Sequence, residues 1–256
     1  MELQAVLNTF AKEIFRKQAD FDYITARMNY KMQFRQQFLW SAQQAIEKYF
    51  KAILLFNGES TINYGHDLVT LYTEVKKIDY LEIKLPKFTS DFLNHLTKYG
   101  GNNRYMTNFS YNESNSLRKL DELAWNIRRY CQFIPDQCLG SDSRIDGLKE
   151  AVINRINHPT FLKSPNIFTI SGGELEKILD KPADEPARIA LVWSNLYFGK
   201  KKRFKVKHKA FASSETPPQF RDWFIKDVEF NEISKFIKFD KNTIEIIQKM
   251  KNTKRE

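Results

Sequence analysis

The stretch 34–56, FRQQFLWSAQQAIEKYFKAILLF, constrains the fold more than any other part of this chain. Its apolar residues fall at Phe38, Ala42, Ala45, Ile46, Tyr49, Ile53 and Phe56. That is helical spacing with a wide apolar face, the pattern of a helix surrounded by others. Glu47 precedes Lys51 by four residues, the favourable order for an exposed ion pair, and Asn57-Gly58 supplies the stop.

Other segments repeat the pattern. Leu117, Leu120, Ala124, Ile127, Cys131 and Ile134 form a stripe that Pro135 ends, with Ser114 and Ser116 as candidate N-caps. A helix over roughly 10–30 carries Ile14, Phe15, Phe21, Ile24 and Met28 as its apolar set. Shorter ones are expected over about 67–77 and 88–99. These five patterns, joined by modest connectors, predict an all-α antiparallel bundle over residues 1–135. After the break PDQCLGSDS, helical patterns resume at about 144–157, 172–180, 186–198, 217–238 and 241–251. Ser171 to Glu174 reads as a capping box. Residues 136–256 are therefore expected to form a mostly helical, basic second region.

Composition narrows the function classes. Residues 1–137 hold 18 Lys and Arg against 15 Asp and Glu, whereas the remainder holds 23 against 16. A basic excess of this kind favours a polyanionic partner and is equally compatible with solubility. The longest strictly apolar run is Ala52–Phe56, too short for a membrane span. Cys131 and Cys138 form no CxxC, and the four histidines are scattered, so no metal or cofactor set is expected. The opening residues carry charges where a signal peptide would be apolar, and a reduced, cytoplasmic setting is the expectation. Phosphate-binding loops, GxGxxG and GxSxG are absent.

The densest charge cluster is FGKKKRFKVKHKAF at 198–211. Lys200, Lys201, Lys202, Arg203, Lys205, Lys207 and Lys209 are its cations. From Arg203 onward charge alternates with Phe204 and Val206, so a short basic hairpin would show the cations on one face. Phosphate backbones suit such a face, and a lysine-guarded edge suits it as well.

The central helix also carries a family signature. Ala42, Gln44, Ala45, Glu47, Lys48, Lys51 and Ala52 are followed by His66-Asp67-Leu68 and then by Arg104-Tyr105. Over roughly residues 10–134 this resembles the HEPN domain family. The resemblance implies a helical bundle that pairs with a second copy. Many members are metal-independent ribonucleases whose cleft carries an R-x4–6-H motif. Some toxin members extend it to R-x4-H-x-Y, the tyrosine being modified by a nucleotidyltransferase partner. Other members have lost the pair and bind nucleotides or partner proteins.

Here Arg104 and Tyr111 keep that spacing, while Phe109 stands at the histidine position. A phenyl ring cannot exchange protons near neutral pH as imidazole does, whereas an arginine still grips phosphate. The stretch thus reads as a degenerate site for RNA or a nucleotide, with Arg104, Tyr105, Asn108 and Tyr111 as contacts beside the 200–207 cations. Two alternatives stand beside it. One is a ribonuclease that uses Arg104 with a displaced histidine, for which His66 is the candidate. The other is an inert scaffold in which 104–111 merely closes a helix connection. His66-Asp67 also reads as plain helix capping.

Overall fold

The computed structural model describes residues 3–62, 64–100, 115–133 and 143–199. Among these every regular element is a helix: α1 (Leu3–Phe10), a π-helical segment (Ala11–Arg16), α2 (Lys17–Lys31), α3 (Arg35–Phe56), α4 (Leu68–Lys76), α5 (Lys87–Tyr99), α6 (Ser116–Arg128), α7 (Ser143–Ile156), α8 (Pro159–Lys163), α9 (Glu174–Leu179) and α10 (Pro186–Val192). The all-α class expected from the sequence holds. No described helix is long and apolar enough to cross a membrane.

Helix α3 is the hub, as its periodicity predicts. Its side chains from Phe38 to Phe56 are buried on nearly every face, and α1, α2, α4, α5 and α6 all pack on it. Ala42, Ala45 and Ala52 lose all their surface, which lets neighbouring backbones approach closely. Antiparallel pairing with α2 is fixed by three links: Lys48 to Asp22, Tyr49 Oη to Asp20 Oδ1 at 2.7 Å, and Asn29 Nδ2 to Ser41 Oγ at 3.3 Å. At its far end Gln4 of α1 donates to the carbonyls of Leu55, which also accepts from Gly58 N, and of Phe56.

The first helix departs from expectation in an instructive way. Ile24 is buried and Phe15 packs on the core, but Ile14, Phe21 and Met28 point outward at 52%, 38% and 39% exposure. The inward face instead carries Ala11, Ala19, Tyr23, Ala26, Arg27 and Tyr30. Two causes act together. Small alanines let α2 lie close to α3, and the i→i+5 turn at Ala11–Arg16 slips the register of everything before it.

Four smaller expectations are corrected. The stripe of α6 continues to Cys131, but the helix stops at Arg128. Its N-cap is Asn115 in the left-handed region, with no side-chain bond, and Ser116 is already helical. Gly173 rather than Ser171 caps α9, so no capping box forms there. Glu47 and Lys51 do pair at 2.7 Å, yet Glu47 is only 5% exposed and the pair is not a surface one.

The second region wraps the α2–α6 face through two polar networks. Arg128 gives Nε to Asp20 Oδ1 at 2.7 Å and Nη2 to Asp20 Oδ2 at 2.9 Å. It also reaches both Glu176 oxygens, at 2.9 and 2.7 Å. Arg27 binds Asp121 and the backbone carbonyls of Ala190 and Trp193, and Asp121 accepts from Tyr23 at 2.6 Å. Asn195 ties Tyr23 to the end of α10. Burial would make the Arg128 guanidinium give up its proton, but Asp20 and Glu176 hold it well above its ordinary value. Burial likewise opposes charge on Glu176, and the Arg128 partner keeps its carboxyl below the usual range. Ile156, Phe168, Ile170, Leu175, Ile178, Leu191 and Phe198 join the apolar core of the bundle.

Candidate functional site around His66 and Gln43

The turn before α4 carries the histidine singled out in the sequence. Asp67 caps the helix, accepting from Val69 N at 2.9 Å, Thr70 N at 3.2 Å and Thr70 Oγ1 at 2.8 Å. Burial works against the Asp67 carboxylate, yet these bonds lower its pKa. The capping reading therefore holds for Asp67.

His66 does something else. Its Nδ1 lies 2.9 Å from Glu47 Oε2, and its side chain is 67% exposed. The second oxygen of Glu47 receives Lys51 Nζ. One buried carboxylate thus fixes an exposed imidazole through a single ring nitrogen and leaves the other edge to solvent. This is the arrangement by which a carboxylate orients a histidine for proton transfer.

Gln43, one turn before Glu47 on α3, donates Nε2 to the His66 carbonyl at 2.9 Å. Its Oε1 is buried and accepts no hydrogen bond among the described residues. Gly100 lies against the same side chain: a Cβ there would sit 2.6 Å from Gln43 Cβ and 2.7 Å from the Leu96 carbonyl. Only glycine fits that approach. Gln43 therefore joins the His66 turn to the last described residue before 101–114.

Arg104, Tyr105, Asn108, Phe109 and Tyr111 lie outside the described residues, as do Lys200, Lys201, Lys202, Arg203, Lys205, Lys207 and Lys209, together with the expected hairpin and the helical patterns at 217–238 and 241–251. Arg104 follows Gly100 by four residues, an extended reach of at most about 14 Å. The basic stretch begins just after Gly199, which lies against Leu179 of α9 and Val192 of α10. Tyr197 packs its ring 6.1 Å from that of Trp125, and burial, then Glu122, raises its phenol pKa. Glu122 stands six residues into α6, about 9 Å from the helix start along its axis.

Sequence reasoning missed Gln43 and placed Glu47 on the surface. The signal for both was their i,i+4 spacing on one face of α3, which faces the His66 turn.

Residues 13–134 match the family model of the HEPN domain. No curated protein and no solved structure matches the chain. The motif residues have visible work in the fold: Lys48 locks α3 to α2, Glu47 and Lys51 hold the His66 turn, and Asp67 starts α4. Over residues 13–134, just under half of its length, the chain is similar to the HEPN domain.

Proposed function

We propose that this protein binds RNA or a nucleotide at its HEPN cleft as a homodimer. Arg104 grips phosphate, Tyr105, Asn108 and Tyr111 line the cleft, and Lys200, Lys201, Lys202, Arg203, Lys205 and Lys207 extend the cationic surface. The observation that carries this reading is the seating of Gly100 on Gln43, which starts the Arg104 segment beside the His66 turn. The HEPN match over residues 13–134 adds to it, since the domain as a class is associated with ribonuclease-like or nucleotide-binding roles. Phosphate contacts by arginine and lysine make binding fall steeply with salt. The reading further places the protein in the cytoplasm as half of a toxin–antitoxin pair. Tyr111 is then the target of a nucleotidyltransferase partner, whose added phosphate would fill the Arg104 site.

The Glu47–His66 contact favours a second reading, a metal-independent ribonuclease. His66 would exchange the protons of the ribose 2′-hydroxyl and leaving oxygen that Phe109 cannot. One experiment separates the two. Purified protein is incubated with mixed RNA in EDTA beside Arg104→Ala and His66→Ala, and binding is titrated at two salt concentrations. Salt-sensitive binding without cleavage, weakened by Arg104→Ala, supports the first reading. Cleavage abolished by either substitution moves the second to the front. Neither binding nor cleavage would leave the chain as a partner-docking scaffold and overturn both.

A further inference from the structure

The π-helical turn sets one arginine facing inward. Ala11 and Arg16 are its buried residues, five positions apart. In an α-helix that spacing covers about 1.4 turns and would aim them apart, whereas an i→i+5 turn brings them to one side. Arg16 is 4% exposed, and its one hydrogen bond among the described residues runs from Nη1 to the Cys131 carbonyl at 3.0 Å. No described carboxylate takes the rest of its planar fork of donors. Asp20 and Glu176 attract it from a distance, but Arg128 already engages both. Glu13 is paired with Lys12 and Lys17. Burial, and then repulsion from Arg128, lowers the Arg16 pKa. A buried cation with spare donors and no direct counterion is costly unless an anion reaches it.

The fold leaves room for one. Arg16 lines a cavity of about 400 Å³, a size common to small-ligand sites. Lys12, the hydroxyls of Thr9 and Ser171, and the amides of Asn8 and Gln132 line it too. Phe56, Phe133 and Ile170 supply an apolar wall. Asn8, Phe56 and Phe133 also border a second cavity of about 970 Å³, which carries Tyr64, Tyr80 and the amides of Gln4 and Asn57. Glu59, Glu74 and Asp79 there oppose further negative charge, because Lys77 is already engaged by Glu74. Charge thus runs from positive at Arg16 to negative beyond Phe56. We propose that this double cavity binds a small phosphate monoester, its phosphate on Arg16 and Lys12 and a neutral, flat organic group on Phe56 and Phe133. A monoester offers three terminal oxygens, and guanidinium, ammonium, hydroxyl and amide donors surround the place where they would sit. A nucleic-acid strand or a polyphosphate suits it badly, since its next charge would fall among the carboxylates. Phe56 stands thirteen residues beyond Gln43, about 20 Å along α3. The site is therefore separate from the one around His66, and it does not depend on RNA binding there.

The test titrates the full chain with phenyl phosphate and with inorganic phosphate, by calorimetry at constant ionic strength. Phenyl phosphate is expected to bind, about tenfold tighter than inorganic phosphate, because its ring covers the apolar wall. Lys12→Glu reverses a charge at an exposed position. It should weaken phenyl phosphate by about tenfold or more and leave far-ultraviolet circular dichroism unchanged. Arg16→Gln should abolish binding, and Arg104→Ala should leave it intact. If Arg16→Gln does not fold, Lys12→Glu carries the decision alone. Binding that Lys12→Glu leaves unchanged overturns the proposal, and its loss in Arg104→Ala would then assign the phosphate to the other cleft. Absence of binding in the wild type overturns it as well, and Arg16 is then only a partner for the Cys131 carbonyl with water on its remaining donors.

Discussion

Arg128 makes four hydrogen bonds to two carboxylates and keeps almost none of its surface in water. Removing one partner of such a set leaves a buried charge uncompensated. Asp20→Ala should therefore cost about 3–5 kcal/mol, read as a lower urea midpoint with an unchanged slope. Glu176→Gln should cost less, about 1–2 kcal/mol, because the amide keeps one acceptor and the site touches solvent. A second residue sets a pH dependence. His95 is packed between Phe92 and Tyr99, and burial, then Lys119 and Lys98, lowers its pKa to about 4. The unfolded chain takes up that proton near pH 6.5, before the folded one does. Stability should thus be full above pH 6.5 and decline as pH falls from 6.5 towards 4, by on the order of 2–3 kcal/mol. Urea midpoints at pH 7.5 and 5 check this, and His95→Gln should flatten the difference.

At the scale of elements, sequence periodicity served the hub well and the outer helix badly. Helix α3 is buried on nearly every face, so every apolar residue of its stripe from Phe38 to Phe56 counts correctly. Helix α2 is buried on a face of alanines, Ile24 and paired polar groups, while Phe21 and Met28 look outward. Periodicity cannot separate those cases, because it assigns the apolar side to the core whatever the neighbouring helix presents. Nor can it find Arg27 or Arg128 inside the molecule, since Glu176 and the carbonyls that satisfy them lie tens to more than a hundred residues away. Of the site, the Asp67 cap was legible from its local spacing, while the Glu47–His66 contact needs the turn of 57–67 to fold back on α3. Two substitutions probe these elements. Asp67→Ala removes an N-cap and should cost about 1 kcal/mol. Gly100→Ala drives a methyl group into Gln43 and the Leu96 carbonyl. Backbone cannot yield as a side-chain tip can, so the loss should be about 1–3 kcal/mol. RNA binding should weaken with it if the Arg104 segment starts from that seat, and thermal melts beside filter binding would show both effects.

For the molecule as a whole, the end of the family match and the end of the packed core do not coincide. The match stops at residue 134, but the core continues through Phe168, Leu175, Leu191 and Phe198. Cutting the chain at 134 would do more than uncover apolar surface. It would strip Arg27 of the Ala190 and Trp193 carbonyls, Arg128 of Glu176, and the Trp125 indole of the Pro165 carbonyl that it donates to at 3.1 Å. Asp20 would lose the amides of Glu174 and Leu175 at the start of α9. Each orphaned buried group costs on the order of 1–3 kcal/mol, and several together exceed the 5–15 kcal/mol margin of an ordinary domain. A fragment of residues 1–134 should therefore lack a cooperative thermal transition, and one of residues 1–199 should keep it. Calorimetry of the two fragments decides the matter: a sharp transition in the shorter one would mean that water replaces the strap at both arginines, and that the second region docks on a bundle already complete.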